Sequence, residues 1–495
     1  MKIFKRILLF AALTFPLLLV FLFSLMVYSG NSFGRGMVPE SDLPAGEVLQ
    51  IEGSLYGVEN NRFRRSESGL YEMFVEGSPI ERGVYAGKLS RDLIIRQEDI
   101  FVGMINRMVP NSFYRFFLQN FIYMFNRSIH RHIPEEFLLE IYGVSKQMEG
   151  VNENLGSPYL RILNYHAAHD IGHMLENMNL VGCTAFSVKE GMSLNGDLIT
   201  ARNFDFYIGD RFAEEKIISF VNPQSGIPFM KVTWGGMMGV VSGMNIEGLS
   251  IVINAAESGV PSTTATPVSL VSREVLQYAH DIESAYRIIA SRNLFVNQIF
   301  FISSASDGRS AIIEKTTDTT EIYYPEGDFA ALTNHFIGKL KGSEKKPETQ
   351  SVKYSKGRLE RVKELILEKE VLDEKIMVEI LRDTRGLGGK PVEPGSEYAI
   401  NQYLAHHSIV FNNTKRIVYV STSPWQFGEF VAYELDNVFS QFPGMEKDRE
   451  LTTETLTIEK DPFMESDEFK KVKRSRDEGT FKADDIRFRK DGLNF

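Results

Sequence analysis

The chain has 495 residues, with 55 Lys and Arg against 65 Asp and Glu, a formal net charge of −10 and a single cysteine. That balance lacks the basic footprint of a nucleic-acid binder, and one cysteine excludes any intramolecular disulfide. The length allows two or three domain-sized units with a sizeable core.

Lys2, Lys5 and Arg6 precede an almost unbroken apolar run from Ile7 to Tyr28. As a helix this run would be about 33 Å long at about 1.5 Å per residue, enough to cross a bilayer and longer than most signal-peptide cores. Pro16 would kink such a helix without forbidding it, and the flanking charges favour a cytoplasmic N-terminus. Residues 1–30 are therefore expected to be a transmembrane anchor, with the rest of the chain on the extracytoplasmic side. Cleavage after Ser29 would instead give a secreted or periplasmic protein.

Residues 31 to 70 read as a Gly-, Ser- and Pro-containing approach to the domain. Helical periodicity then predicts helices at 91–108, 113–130, 134–148 and 159–177, making 31–182 a mostly helical segment. In the last of these, His166, His169, Asp170 and His173 fall at i, i+3, i+4 and i+7, so one face could offer three imidazoles and a carboxylate to a metal. No second ligand set with motif spacing accompanies them. Packing is the favoured reading, and no metal or cofactor is assigned.

From position 183 the pattern changes to strands, at 183–188, 198–203, 216–221, 229–234, 239–245 and 249–253. An amphipathic helix at 267–291 follows, then strands at 298–304, 311–315 and 321–324. Helices at 355–368 and 374–383 precede strands at 408–412, 417–421 and 429–434, where His406 and His407 read as strand-end residues. Strand groups flanked by helices suit two stacked sheets with helices outside. Residues 441–495 are charge-dense, including Lys470, Lys471, Lys473, Arg474 and Arg476, and read as a solvated tail open to disorder.

The one thiol, Cys183, sits in the run Val-Gly-Cys-Thr-Ala-Phe-Ser-Val at 181–188. Asn195-Gly196, between alternating segments, is a two-residue hairpin signal. Folding back there brings Arg202 and Asp205 abreast of Cys183. A lone cysteine is ordinarily an inert, buried small hydrophobe; a glycine before it and an Arg and Asp beside it favour a nucleophile.

These residues resemble a known group. Gly182-Cys183-Thr184, followed by Gly196-Asp197 and Arg202-Asn203-Phe204-Asp205, is similar to the N-terminal-nucleophile (Ntn) amidohydrolases. The resemblance is strongest to the penicillin acyltransferase-like (isopenicillin N acyltransferase) peptidase family, related to choloylglycine hydrolases and acid ceramidase. It continues in the block 242–249 leading to Asn254, in Leu332-Thr333-Asn334-His335-Phe336, and in Ser355-Lys356-Gly357-Arg358-Leu359-Glu360-Arg361. Upstream, the block 76–83 with Gly87 resembles the start of the family's pro-segment. The resemblance implies an α+β fold, the αββα four-layer Ntn-hydrolase sandwich, with the catalytic domain at 183–440 and the pro-segment remaining bound as a light chain.

It also implies roles. Cys183 would cut the Gly182–Cys183 bond and become a new N-terminus, whose α-amine (ordinary pKa about 8) can act as base for the thiol. Glycine before the cut permits strained backbone angles and leaves the carbonyl open to attack. Asp205 would hold the α-amine, or be an ordinary turn aspartate. Arg202 would lower the thiol pKa, or simply pair with Asp205. Asn254 would donate to the oxyanion. Asn334 follows a short apolar run read as loop, where a turn residue is the plain alternative. Arg358 is preferred over Arg361 because it keeps the Ser-x-x-Arg spacing, although a solvated helix charge is the default for both.

The expected function is hydrolysis of a linear, non-peptide N-acyl amide through a Cys183 acyl-thioester. The 36 phenylalanines and the anchor favour a lipid-like or aromatic acyl group. Transfer of the acyl group to an amino acceptor is the alternative within the class; an inactive membrane-anchored binding protein of the same fold is the alternative outside it.

Overall fold

The computed structural model of the chain describes residues 24, 39, 41–167, 170, 182–257, 264–342 and 349–481. The expected anchor at 1–30 thus lies outside the described residues apart from Ser24. Among the described residues no helix is long and apolar enough to cross a membrane.

The segment read as an approach carries strands instead: β1 (Leu49–Glu52), β2 (Leu55–Val58) and β3 (Asn61–Arg65), followed by β4 (Tyr71–Gly77). Charge on β3 hides its strand character. Arg64 is buried by pairing with Glu72, Asp448 and Glu450. Two of these partners are far away in the chain, so the local pattern reads as polar loop.

Next come β5 (Thr184–Glu190), β6 (Gly196–Phe204), β7 (Ile217–Pro223), β8 (Phe229–Thr233), β9 (Ser242–Asn245) and β10 (Leu249–Ala255). They are followed by β11 (Gln298–Ser304), β12 (Arg309–Lys315), β13 (Thr320–Tyr323) and β14 (Phe329–Leu332). The last three are β15 (His407–Asn412), β16 (Ile417–Ser421) and β17 (Phe430–Glu434). Among the described residues one sheet runs β1-β2-β3-β4-β7-β8-β9-β10-β11-β12-β13, and a second runs β14-β5-β6-β15-β16-β17. The β4–β7 pair is parallel, as expected where a long helical excursion separates two neighbouring strands.

The two sheets face each other across a core that includes Phe74, Phe220, Phe301, Ile409 and Phe411. Helices Val268–Tyr278 and Ile282–Ser291 cover the outer face of the larger sheet, and Gln350–Leu367 and Glu374–Leu381 that of the smaller one. Mixed helices and sheets in this layering agree with the expected class. The helix expected as one at 267–291 is two, because Asp281 caps a fresh start by accepting from the Ser284 amide at 2.7 Å. The loop expected before Asn334 is strand β14, paired with β5.

The first helical segment begins at Pro79–Met108, earlier than 91, with the Ser78/Glu81 capping box and a proline in its first turn. It crosses Glu135–Lys146 at close range. A Cβ on Gly83 would lie 2.2 Å from the Glu140 carbonyl oxygen, so only glycine permits the approach. Beneath the crossing, Glu140 accepts from Arg82 Nε at 2.7 Å and from Arg273 Nη2 at 3.1 Å, all three side chains being buried. The core continues across position 182, joining Phe137, Ile141 and Ile162 to Phe229, Ile251 and Val271.

Over its described residues, 441–481, the charged C-terminal segment packs onto the domain, against the solvated tail expected. Phe469, Val472 and Phe481 pack on Tyr403, Trp425 and Phe427, and Arg476 is buried among these rings, 4.7 Å from that of Trp425. A few apolar anchors spread over a charge-rich stretch are too sparse to register as periodicity.

Candidate active site

The hairpin brings the chemistry together, though not by a two-residue turn. The reversal spans residues 191–195, and Gly196 at φ +72° leads into β6. The register still sets Thr184 opposite Asn203 and Ala185 opposite Arg202. Two residues further along each strand, the Gly182 amide donates to the Asp205 carbonyl at 3.1 Å. Cys183 and Arg202 meet at the end of this ladder, and both are fully buried.

Arg202 is a hub. Its Nη2 lies 3.3 Å from the Cys183 sulfur and also donates to the Ile253 carbonyl; its Nη1 donates to the Val241 carbonyl at 2.6 Å and to the Ser242 hydroxyl. The guanidinium thus bolts β6 to β9 and β10 while presenting charge to sulfur. Burial pushes the Cys183 thiol up; Arg202 pulls it down, Asp205 pushes it up, and a hydrogen bond from the Asp205 amide pulls it down. The net shift is upward, so in the intact chain the sulfur is a protonated, weak nucleophile.

Asn254 lies near the end of β10 and Asn334 follows β14. Asn254 Nδ2 donates to the Thr333 carbonyl at 3.0 Å, and Asn334 Nδ2 donates to the Ala255 carbonyl at 3.0 Å. Arg358 reaches the same cluster, donating through Nη2 to Asn334 Oδ1 at 2.9 Å and through Nη1 to the Glu397 carbonyl at 2.7 Å. Burial lowers the Arg358 pKa, while Asp205, Glu397 and Cys183 raise it, which puts Arg358 in the field of the sulfur. Arg361 turns away to Asp383 and Glu364. All six sequence-selected side chains therefore lie in one connected neighbourhood.

Other residues join them. Ser242 Oγ lies 2.8 Å from His407 Nε2, and His407 Nδ1 lies 2.9 Å from His406 Nδ1. Burial holds both imidazoles well below their usual range, so a chain of neutral hydrogen-bonding groups backs the Arg202 guanidinium. The adjacent histidines are visible in the sequence, but nothing local says that they meet Ser242. Gln402, buried in the loop before β15, donates to the Gly182 carbonyl at 3.3 Å; it carries no motif signal.

The histidine cluster is divided. His166 Nδ1 lies 2.8 Å from the Ile162 carbonyl and its Nε2 accepts from the Met238 amide at 2.8 Å, so both ring nitrogens are engaged. Asp170 accepts from the Val268 amide at 2.9 Å. His169 and His173 lie outside the described residues. Near Phe206, which stacks on Phe204 at 5.5 Å, a small recess open to solvent is lined mainly by apolar side chains, Ile94, Phe101, Phe206, Phe212 and Trp234.

A buried sulfur with a guanidinium beside it, a carboxylate and converging amides is the arrangement that the motif blocks led one to expect. The family of acyl-coenzyme A:6-aminopenicillanic acid acyl-transferase matches residues 192–388, a span that holds Arg202, Asp205, Asn254, Asn334 and Arg358 and begins after Cys183. That match covers under half of the chain and agrees with the resemblance of these motif blocks to the penicillin acyltransferase-like family. Among solved structures, an ortholog of N-acylethanolamine-hydrolyzing acid amidase from Caenorhabditis elegans aligns over 47% of this chain and 93% of its own, at 17% identity and a TM-score of 0.34. A mutant conjugated bile acid hydrolase from Clostridium perfringens aligns over 55% of this chain and 96% of its own, at 13% identity and a TM-score of 0.34. Penicillin V acylase from Agrobacterium tumefaciens aligns over 49% and 83%, at 15% identity and a TM-score of 0.33. A search of curated proteins gave no significant match.

Proposed function

We propose that this chain is a self-processing cysteine amidohydrolase that cuts its own Gly182–Cys183 bond and then cleaves a linear, non-peptide N-acyl amide. The observation that carries the reading is the Cys183 sulfur, 3.3 Å from Arg202 Nη2 and immediately after a glycine whose amide is tied to Asp205. In the intact chain that sulfur has no exposure at all. Cleavage would free its α-amine, whose ordinary pKa of about 8 suits a base for a thiol.

In turnover the sulfur attacks the amide carbon of the substrate, the amine leaves with a proton relayed by the α-amine, and water hydrolyses the thioester. Asn254 and Asn334 are the candidate oxyanion donors, Asp205 orients the α-amine, and Arg202 and Arg358 supply positive charge. An oxyanion donor of this kind typically supplies about 3–4 kcal/mol of barrier lowering. The apolar recess beside Phe206 suits an aromatic or lipid-like acyl group. An extracytoplasmic catalytic domain on an N-terminal anchor remains part of the proposal on sequence grounds. Acyl transfer to an amine is the second reading, favoured by the acyltransferase description of the matched family; hydrolysis is preferred because the sequence carries no recognisable coenzyme A site.

Incubating the cleaved protein with N-acyl amino acids, β-lactams, bile conjugates and N-acyl lipids tests the reading. Release of amine from one class, lost in Cys183→Ala, is the expected result. An uncut chain inert to all four and to iodoacetamide would leave a binding protein of the same fold.

A further inference from the structure

We infer that Gln402 is the oxyanion donor for the self-cleavage step, separate from the asparagines that serve the substrate. The inference rests on the self-processing reading and deepens it. Three contacts hold the bond that would be cut. The Gly182 amide is fixed by the Asp205 carbonyl at 3.1 Å, the Cys183 sulfur is addressed by Arg202 at 3.3 Å, and the Gly182 carbonyl oxygen accepts from Gln402 Nε2 at 3.3 Å. A carbonyl oxygen can only accept, so the Gln402 amide must face it with its nitrogen.

Asn254 and Asn334 are both engaged elsewhere, on the Thr333 and Ala255 carbonyls. Among the described residues, Gln402 is a side-chain donor in place for the Gly182 oxygen. Gln402 is buried, and its loop is fastened by the Asn401 amide donating to the Asp383 carbonyl at 2.9 Å, so the donor is preorganised. The same contact explains the residue before the cut. A Cβ on residue 182 would lie 2.8 Å from Gln402 Nε2 and 3.0 Å from its Oε1, so a side chain there would push the donor off the carbonyl.

The step balances without a cofactor. Sulfur bonds to the Gly182 carbon, and the carbonyl oxygen takes up the negative charge, where the Gln402 hydrogen bond shortens and strengthens. As the tetrahedral adduct collapses the C–N bond breaks, and the thiol proton ends on the departing Cys183 nitrogen. Water then hydrolyses the thioester, its hydroxyl going to the Gly182 carbon and a proton to sulfur.

The test follows full-length chains by intact mass in a cell-free translation chase, comparing wild type, Cys183→Ala, Gln402→Leu and Gln402→Glu, with thermal unfolding of each. Removing an oxyanion donor costs about 10²–10³-fold in rate, so both Gln402 variants should be cut that much more slowly at pH 8. Gln402→Glu keeps the size, and its carboxylate becomes a donor only when protonated. Its cleavage rate relative to wild type should therefore climb as pH falls through the carboxyl range, which a packing defect would not produce. Wild-type speed for Gln402→Glu at pH 8, or a slow rate whose ratio to wild type ignores pH, overturns the role of Gln402. If the wild type is never cut before Cys183, or Cys183→Ala is still cut, the self-processing reading falls first and takes this inference with it.

Discussion

Asn254 and Asn334 hold each other's neighbours: the amide of Asn254 donates to the carbonyl preceding Asn334, and the amide of Asn334 donates to the carbonyl following Asn254, each at 3.0 Å. This reciprocal clamp locks the end of β10 in one sheet to the end of β14 in the other. It makes the two asparagines one unit, aimed by Arg358 through Asn334 Oδ1.

Replacing either asparagine by alanine should therefore damage both function and fold. A buried carbonyl left without its donor costs about 1–3 kcal/mol, and a lost oxyanion donor about 10²–10³-fold in kcat. Because the pair shares one clamp, the double variant should lose less than the two single losses combined. Kinetics per folded site and denaturant melts measure both. Full additivity would show that the two amides act independently.

Arg202→Met removes the charge that pulls the thiol down and strands the Val241 and Ile253 carbonyls. With Arg202 gone, burial and Asp205 act on the sulfur with less opposition, so its pKa should rise. The pH profile of iodoacetamide alkylation in the cleaved protein should move to higher pH. A profile that stays in place would mean that the guanidinium only fastens strands.

His166 gives a stability prediction with a definite sign. Burial lowers its pKa to about 4 from an ordinary 6.5. The unfolded chain therefore takes up a proton between those values while the folded one does not. The contribution is fully present above about pH 6.5 and is lost as pH falls toward about 4, roughly 3 kcal/mol at about 1.4 kcal/mol per unit. His166→Gln should flatten that acid limb in melts recorded from pH 7 to 4. An unchanged limb would mean that other groups govern it.

The two pieces of a cleaved chain should stay together, because Glu140 on one side of the cut is held between Arg82 and Arg273 within a core that spans the cut. Native size-exclusion chromatography should show one species, separating only in denaturant. Glu140→Ala leaves two buried guanidinium groups without their carboxylate, at a cost of about 3–5 kcal/mol, and should lower the temperature at which the pieces part.

What the sequence made legible follows from the range of the forces involved. Short runs rich in apolar residues marked β5, β6, β10, β11 and β16, which are buried almost throughout, and the β5–β6 hairpin carried Arg202 and Asp205 to Cys183. Features set by distant partners were hidden. Arg64 makes β3 read as loop because Asp448 and Glu450 lie far along the chain. Phe469 and Phe481 hold an apparent tail in place by reaching Trp425 and Phe427. Ser242, His407 and Gln402 join the site through side-chain bonds that no local spacing encodes, whereas the Ser-x-x-Arg spacing pointed to Arg358, which reaches Asn334, and not to Arg361, which turns to Asp383.

The central claim is that Cys183 becomes a free N-terminus by its own chemistry. Intact-mass measurement of purified wild type and Cys183→Ala tests it most directly. The predicted result is a wild-type fragment that begins at Cys183 and an alanine variant that stays whole. A wild-type chain that remains joined across Gly182–Cys183, or an alanine variant cut at the same bond, would contradict it.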